Sequence, residues 1–181
     1  MKELKINNIV IGSKQPVFVI AEAGINHNGS YLIAKKLVDM AKKAGANCIK
    51  FQTHIAEQEM IKSNIKPGNI SKKTLWSIIK NCELTENEEI KLSNYCKKQK
   101  ILFLSTPFSI NAITRLEKIK LPAYKIGSGE LTNSPFLEKI AKTRKPVILS
   151  SGMSEMQEIK YAVNMFKSKK IPIALLQTTS V

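Results

Sequence analysis

The sequence predicts an α/β protein of parallel strands covered by helices, a (β/α)8 TIM barrel of which about six strand–helix units lie in this chain of 181 residues. Three observations predict it. Short apolar runs alternate with amphipathic helical segments along the chain. The apolar runs are continuous, as in parallel strands buried on both faces. Each run also ends in residues able to do chemistry, and a parallel barrel places its active site at the C-terminal ends of its strands. Glu22 closes VFVIAE, Lys50 and Gln52 close NCIKFQ, and Ser105 and Thr106 close ILFLST. Lys125, Ser128 and Glu130 close AYKIGSGE, Ser150 and Ser151 close PVILSS, and Thr178 and Ser180 close IPIALLQTTS. An open doubly wound sheet shares the rhythm, but it gathers its chemistry at one switch point. The first loop, AEAGINHNG, also lacks the GxGxxG dinucleotide fingerprint.

The elements follow in order. VFVIAE is the first strand, and the polar loop INHNGS leads to a helix over YLIAKKLVDMAKKAG. Ser30 is placed to cap that helix and Gly45 to end it. NCIKFQ is the second strand. A longer excursion follows, with a turn at KPGN (66–69) and an inserted helix over SKKTLWSIIKN. TENEEIKLSNYCKKQ is the next helix, and Thr85 with Glu88 fits a capping box. ILFLST, AYKIGS, PVILSS and IPIALLQ are strands three to six. INAITRLEKIK, SPFLEKIAKTR and SEMQEIKYAVNMFKSKK are the intervening helices, with Pro135 in a first turn. Trp76 and Tyr95 fall in helical patterns and read as core or helix-interface residues rather than a stacking platform.

Composition narrows the functional classes. At 43% hydrophobic the chain is ordinary for a globular domain. No run approaches the ~18–20 apolar residues of a membrane span. The N-terminus MKELKINNIVIGSKQ lacks the pattern of a secretory signal, so a cytoplasmic protein is expected. Cys48, Cys82 and Cys96 are odd in number and widely spaced, which suggests reduced thiols and no metal set. The net charge is +15, yet arginine occurs only at Arg115 and Arg144. Nucleic-acid readers favour arginine for its planar fork. Lysines spread over the helices read instead as a solvated surface whose field favours anionic substrates, and no nucleic-acid partner is expected.

Lys50 and Lys125 stand inside apolar strands, where an unpaired ammonium is expensive to bury. Two readings stay open. Each pairs with a carboxylate such as Glu22 or Glu130, or both line a phosphate or carboxylate pocket with Thr106, Ser128 and Ser150 supplying hydroxyls. The Gly-rich IGSGE (126–130) is an anion cradle or a simple tight turn. Glu22 and Glu130 orient hydroxyls, serve as acid and base, or balance the lysines. His27 and His54 lie in successive strand–helix loops. With Glu22 they reach three ligands for a metal, whereas a histidine in INHNG commonly holds its loop by hydrogen bonds. No Ser-His-Asp set, CxxC, HExxH or Walker loop is present.

Five stretches together resemble the N-terminal catalytic barrel of the sialic acid synthase family: IAEAGINHNGS (20–30), AGANCIKFQTH (44–54), LFLSTPFS (102–109), YKIGSGE (124–130) and PVILSSGM (146–153). GINHNG and KIGSGE are similar to the N-acetylneuraminate and legionaminate synthases, and THIAEQEM with KPGN to bacterial N-acetylneuraminate synthases. The resemblance implies condensation of phosphoenolpyruvate with N-acetylmannosamine in its open-chain form, giving N-acetylneuraminate and phosphate. It implies a divalent metal, Mn2+ or Mg2+, that polarises the aldehyde. It implies that Lys50, Thr106, Lys125, Ser128, Ser150 and Ser180 hold phosphoenolpyruvate, and that Glu22 and Gln52 bind sugar hydroxyls. Glu22, Lys50, Lys125 and Glu130 are the candidate catalytic residues. Alternatives are a legionaminate or other nonulosonate synthase, another phosphoenolpyruvate- or phosphosugar-using barrel, and a non-catalytic basic nucleic-acid-binding protein.

Two departures from the family pattern stand out. Gln177 replaces a histidine common in relatives. Relatives also continue past the position of Val181 through further strands with metal-ligating histidines and an antifreeze-like domain. A partial barrel over 1–181 is therefore expected, with the metal ligands absent, no activity alone, and a homodimer only for a full-length form.

Overall fold

The computed structural model describes residues 3–68 and 71–179. Ser180 and the Asn69 end of the expected KPGN turn lie outside the described residues. The chain forms two compact units. One holds residues 19–103 and 107–119, and the other holds the N-terminal segment to residue 18, 104–106, and the chain from residue 120 onward.

β1 (Leu4–Ile6) pairs antiparallel with β2 (Ile9–Ile11), Leu4 opposite Ile11 and Ile6 opposite Ile9. Leu4 and Ile6 are buried and Lys5 is exposed, the alternation of a half-buried strand. Asn7 makes the reversal at φ 52°, a region Asn tolerates better than most residues. The expected strand list had no hairpin here. Its signal was the Asn-Asn pair between two short apolar runs.

Along residues 19–119, β3 (Ile20–Gly24) is followed by α1 (Tyr31–Lys43), β4 (Cys48–Thr53), α2 (Ala56–Glu59), α3 (Leu75–Asn81), α4 (Glu86–Lys98), β5 (Leu102–Pro107) and α5 (Ile110–Ile119). The strands form one sheet in the order β3-β4-β5, and β3 and β4 are parallel. Cys48 to Phe51 are buried in succession, as a central parallel strand requires. β5 is fastened near both ends, by the Leu102 N–H to the Asn47 carbonyl at 3.1 Å and the Phe108 N–H to the Thr53 carbonyl at 3.3 Å.

β3 starts later than VFVIAE suggests. Val17 is 83% exposed, and the Val19 N–H donates to the Asn47 side chain at 2.7 Å instead of to a strand ladder. The inserted helix is shorter than SKKTLWSIIKN, because Thr74 caps it through the Ser77 N–H. α2 is a single helical turn that the sequence pattern did not reveal.

The second unit continues with β6 (Tyr124–Ile126), a 3-10 turn (Ser128–Glu130), α6 (Ser134–Lys142), β7 (Val147–Ser150), α7 (Met156–Ser168) and β8 (Ile173–Leu176). β6, β7 and β8 form a parallel sheet in that order, and every residue of β7 is buried. Tyr124, Phe136 and Phe166 are fully buried in this unit. At about 1.5–3 kcal/mol for each large apolar side chain removed from water, they anchor the helices to the sheet. Leu175 and Leu176 of β8 are 48% and 39% exposed.

The helix ends follow the sequence signals. Ser30 accepts from the Ile33 N–H, Thr85 and Glu88 form the capping box, and Asn133 caps α6 ahead of Pro135. Gly45 follows α1 at φ 79°. Tyr95 joins α4 to α1, its hydroxyl donating to Asp39 at 2.5 Å while the Lys35 ammonium lies 4.5 Å over its ring. The architecture is thus α/β with six parallel strands in two sheets. The described strands close no ring of hydrogen-bonded neighbours. No described helix is long and apolar enough to cross a membrane.

Gly29 fixes where the loop after β3 lies. It sits at φ 76°, and a Cβ there would come within 2.3 Å of the Asn81 carbonyl oxygen at the end of α3. Gly29→Ala therefore loses roughly 1–3 kcal/mol of stability through backbone strain, before any clash is counted. A urea-unfolding midpoint equal to that of the parent protein would refute this.

Candidate functional site

The ends of β3 and β4 carry the first cluster. Their register sets Glu22 opposite Lys50. The Lys50 side chain is 8% exposed and forms an ion pair with the Glu22 carboxylate, which is 53% exposed. The ladder shifts register between Glu22 and Gly24, and Gly24 takes φ 52°. This local irregularity brings the Gly24 N–H onto Glu22 Oε1 at 3.0 Å. One carboxylate is thus shared between a backbone amide and a buried ammonium. The pairing reading holds for Lys50. Removing Glu22 would leave a buried charge uncompensated.

Gln52 lies two residues on from Lys50, on the same face of the strand. Its Oε1 is 3.1 Å from His54 Nε2. His54 Nδ1 lies 2.9 and 3.0 Å from the two oxygens of Glu59, on α2. The His54 ring stacks on Phe108 with centroids 4.3 Å apart. The His54 and Glu59 side chains are largely withdrawn from water, at 4% and 5% exposed.

Beside this pair, Thr53 donates its hydroxyl to Glu89 at 2.7 Å, and Arg115 of α5 reaches Glu89 at 3.4 Å and the Leu84 carbonyl at 3.1 Å. Burial lifts the Glu89 carboxyl to about 7, against the lowering pull of Thr53 and Arg115. Sequence reasoning missed Glu89. Its signal was helical spacing, since Glu89 shares a buried face with Leu92, Ser93 and Cys96.

His27 is 1% exposed. Its Nδ1 accepts from the Gly29 N–H at 3.1 Å, the loop-holding role expected of INHNG. That bond leaves the proton on Nε2, which has no hydrogen-bond partner among the described residues. Burial, and then the nearby His54, lower its pKa.

The ends of β6 and β7 carry the second cluster. Lys125 is 7% exposed, and its ammonium donates to Ser150 Oγ at 2.5 Å and to the Ile126 carbonyl at 2.7 Å. Ser128 Oγ accepts from the Gly152 N–H at 3.0 Å, which ties the 3-10 turn to the loop after β7. Glu130 instead accepts from the Asn133 side chain at 2.7 Å. The turn carries it past the strand, so the geometry gives Lys125 a Ser150 contact where the sequence offered Glu130. The Glu130 and Leu131 amides are bonded within this turn, to the Gly127 and Ser128 carbonyls. IGSGE is therefore a tight turn at those two amides. Thr106 is buried on β5.

The structure thus brings Glu22 to Lys50, Gln52 to His54, and Lys125 to Ser150. No three metal-ligating side chains converge among the described residues. Glu22 is engaged by Lys50, and both ring nitrogens of His54 have partners. The His27–His54–Glu22 metal set is not formed, and the residues present do not fit a metal site. The thiols offer no nucleophile either. All three cysteines are buried and unlinked, and burial pushes Cys96 up to about 12 and raises Cys48 further.

The model of the NeuB family matches residues 37–181. The chain belongs to the NeuB family. It is 44% identical over 168 residues to an uncharacterized protein of Methanocaldococcus jannaschii, covering 93% of this chain and 47% of that one. It is 39% identical over 171 residues to the N,N'-diacetyllegionaminic acid synthase of Campylobacter jejuni, covering 90% and 51%. The crystal structure of the N-acetylneuraminic acid synthetase of Leptospira borgpetersenii superposes with a TM-score of 0.87 at 36% identity, covering 99% of this chain and 60% of that one. The chain spans about half the length of the curated relatives it matches.

Glu89 generates a test. The native state holds its proton more tightly than the unfolded state, whose carboxyl keeps the ordinary value of 4.5. Stability from this group is full below that value and is lost as pH rises through about 7. Glu89→Gln removes this slope and, relative to the parent, gains on the order of 2–3 kcal/mol at pH 8 over pH 4. Parallel urea midpoints for the two proteins across that range would contradict the assignment.

Proposed function

We propose that this chain carries the phosphoenolpyruvate-handling strands of a nonulosonate synthase, with N-acetylmannosamine as acceptor and N-acetylneuraminate and phosphate as products. The observation that carries this reading is Lys125, an ammonium 7% exposed and 2.5 Å from the Ser150 hydroxyl, at the strand ends of a NeuB-family chain. A buried ammonium beside a hydroxyl donor suits a phosphate or carboxylate oxygen.

In this reading Lys50, Thr106, Lys125, Ser128, Ser150 and Ser180 bind phosphoenolpyruvate. Glu22 and Gln52 bind acceptor hydroxyls, and Glu130 is a candidate acid or base. C3 of phosphoenolpyruvate attacks the aldehyde carbon, forming the C–C bond while the aldehyde oxygen takes up a proton. Water adds to C2. The C2–O bond to phosphate then breaks, leaving the 2-keto acid and inorganic phosphate. Fixed cations and hydroxyl donors stabilise the charge on the carboxylate and the departing phosphate. Likeness to the Campylobacter jejuni synthase favours a second acceptor, the diacetamido sugar that leads to legionaminate.

The test uses the longest natural protein that contains this chain, supplied with phosphoenolpyruvate, Mn2+ and each acceptor in turn. Phosphate release that depends on N-acetylmannosamine is expected. Release only with the diacetamido sugar selects the second acceptor, and release with neither overturns the proposal. Lys125→Met is expected to lower kcat/KM for phosphoenolpyruvate by about 100-fold, the scale of losing one preorganised charge-stabilising donor.

A further inference from the structure

We propose that His54, held by Glu59, is a positioning residue that sets the direction of the Gln52 amide and hence the hydrogen-bonding pattern offered to the acceptor sugar. The inference rests on the synthase reading above and concerns side chains to which that reading gives no role. A carboxylate only accepts, so both Glu59 oxygens, at 2.9 and 3.0 Å, require a proton on His54 Nδ1. In the neutral ring Nε2 is then a bare acceptor. Of the two ends of the Gln52 amide, only the NH2 can bond there, and the two ends occupy nearly the same volume. The structure sets the amide oxygen 3.1 Å from Nε2; with the ring neutral the amide turns over and its NH2 donates to Nε2 in an N–H···N bond. The Gln52 carbonyl oxygen is left as the end that accepts a sugar hydroxyl.

Three features lock the arrangement. The ring is stacked on Phe108 at an interplanar angle of 16°, so it does not turn freely. The side chains of His54 and Glu59 are 4% and 5% exposed, which limits the competition of water for their bond. Glu59 lies on the single turn α2, whose first amide, at Ala56, is held by Glu83 at 2.6 Å and whose Gln58 side chain accepts from Asn111 at 2.7 Å. The turn that the sequence pattern did not show thus aims one carboxylate at one ring nitrogen.

Two measurements decide it. In protein labelled with 15N at histidine, at pH 8, His54 is expected to carry its proton on Nδ1 and to lose that preference in Glu59→Ala. A proton on Nε2 of the parent, or a tautomer indifferent to Glu59→Ala, overturns the proposal. In the synthase assay, His54→Ala and Glu59→Ala are expected to raise KM for the acceptor sugar roughly 10-fold, the scale of a lost hydrogen bond, and to leave KM for phosphoenolpyruvate within about twofold. Glu59→Gln retains an acceptor for Nδ1–H and is expected to restore most of the loss. Equal changes in both KM values, or Glu59→Gln no better than Glu59→Ala, overturn it. A parent protein with the expected tautomer and no turnover on any acceptor refutes the synthase reading while the hydrogen-bond relay stands.

Discussion

A lysine in a buried strand must be answered by other polar groups, and the strand ends of this protein are organised by that constraint. An ammonium taken out of water loses several kcal/mol of solvation unless charge or hydrogen bonds replace it. Lys50 is answered by Glu22, its partner in the β3–β4 register. Lys125 has the Ser150 hydroxyl and the Ile126 carbonyl. The first sets opposite charges side by side, and the second brings a hydroxyl and a backbone carbonyl to the cation.

Behind the β4 strand end lies a second tier of polar contacts that ties helices to the sheet. Thr53, Glu89 and Arg115 join β4, α4 and α5, and Gln52, His54 and Glu59 join β4 to α2. These contacts are buried or part-buried, where an unmatched polar group is costly and a matched one holds its geometry closely. The same tier carries a carboxyl lifted to about 7 at Glu89. Helix docking and the chemistry of the strand end are therefore coupled, since a helix that shifts takes its carboxylate with it.

Much of this was legible in the residues. Continuous apolar runs marked six parallel strands, and Ser30, Thr85 with Glu88, and Pro135 marked helix starts, because these signals act within one turn or one strand. Short or irregular pieces were not legible. The β1–β2 hairpin has only three residues per strand, and α2 only four residues, too few for a period to show. Val17 and Val19 look like strand residues, but the Asn47 side chain takes the Val19 amide.

The sequence by itself determined the class of each long element, the residues at the strand ends, and membership in the family that the comparisons bear out. Only the tertiary structure decided which side chains meet. Thr53 and Glu89 are 36 residues apart and Lys125 and Ser150 are 25 apart. Such pairs depend on strand register and on where each helix docks, and local propensity carries neither. Glu130 lies nearer to Lys125 in sequence than Ser150 does, yet the 3-10 turn takes it to Asn133, while the parallel pairing of β6 with β7 delivers Ser150.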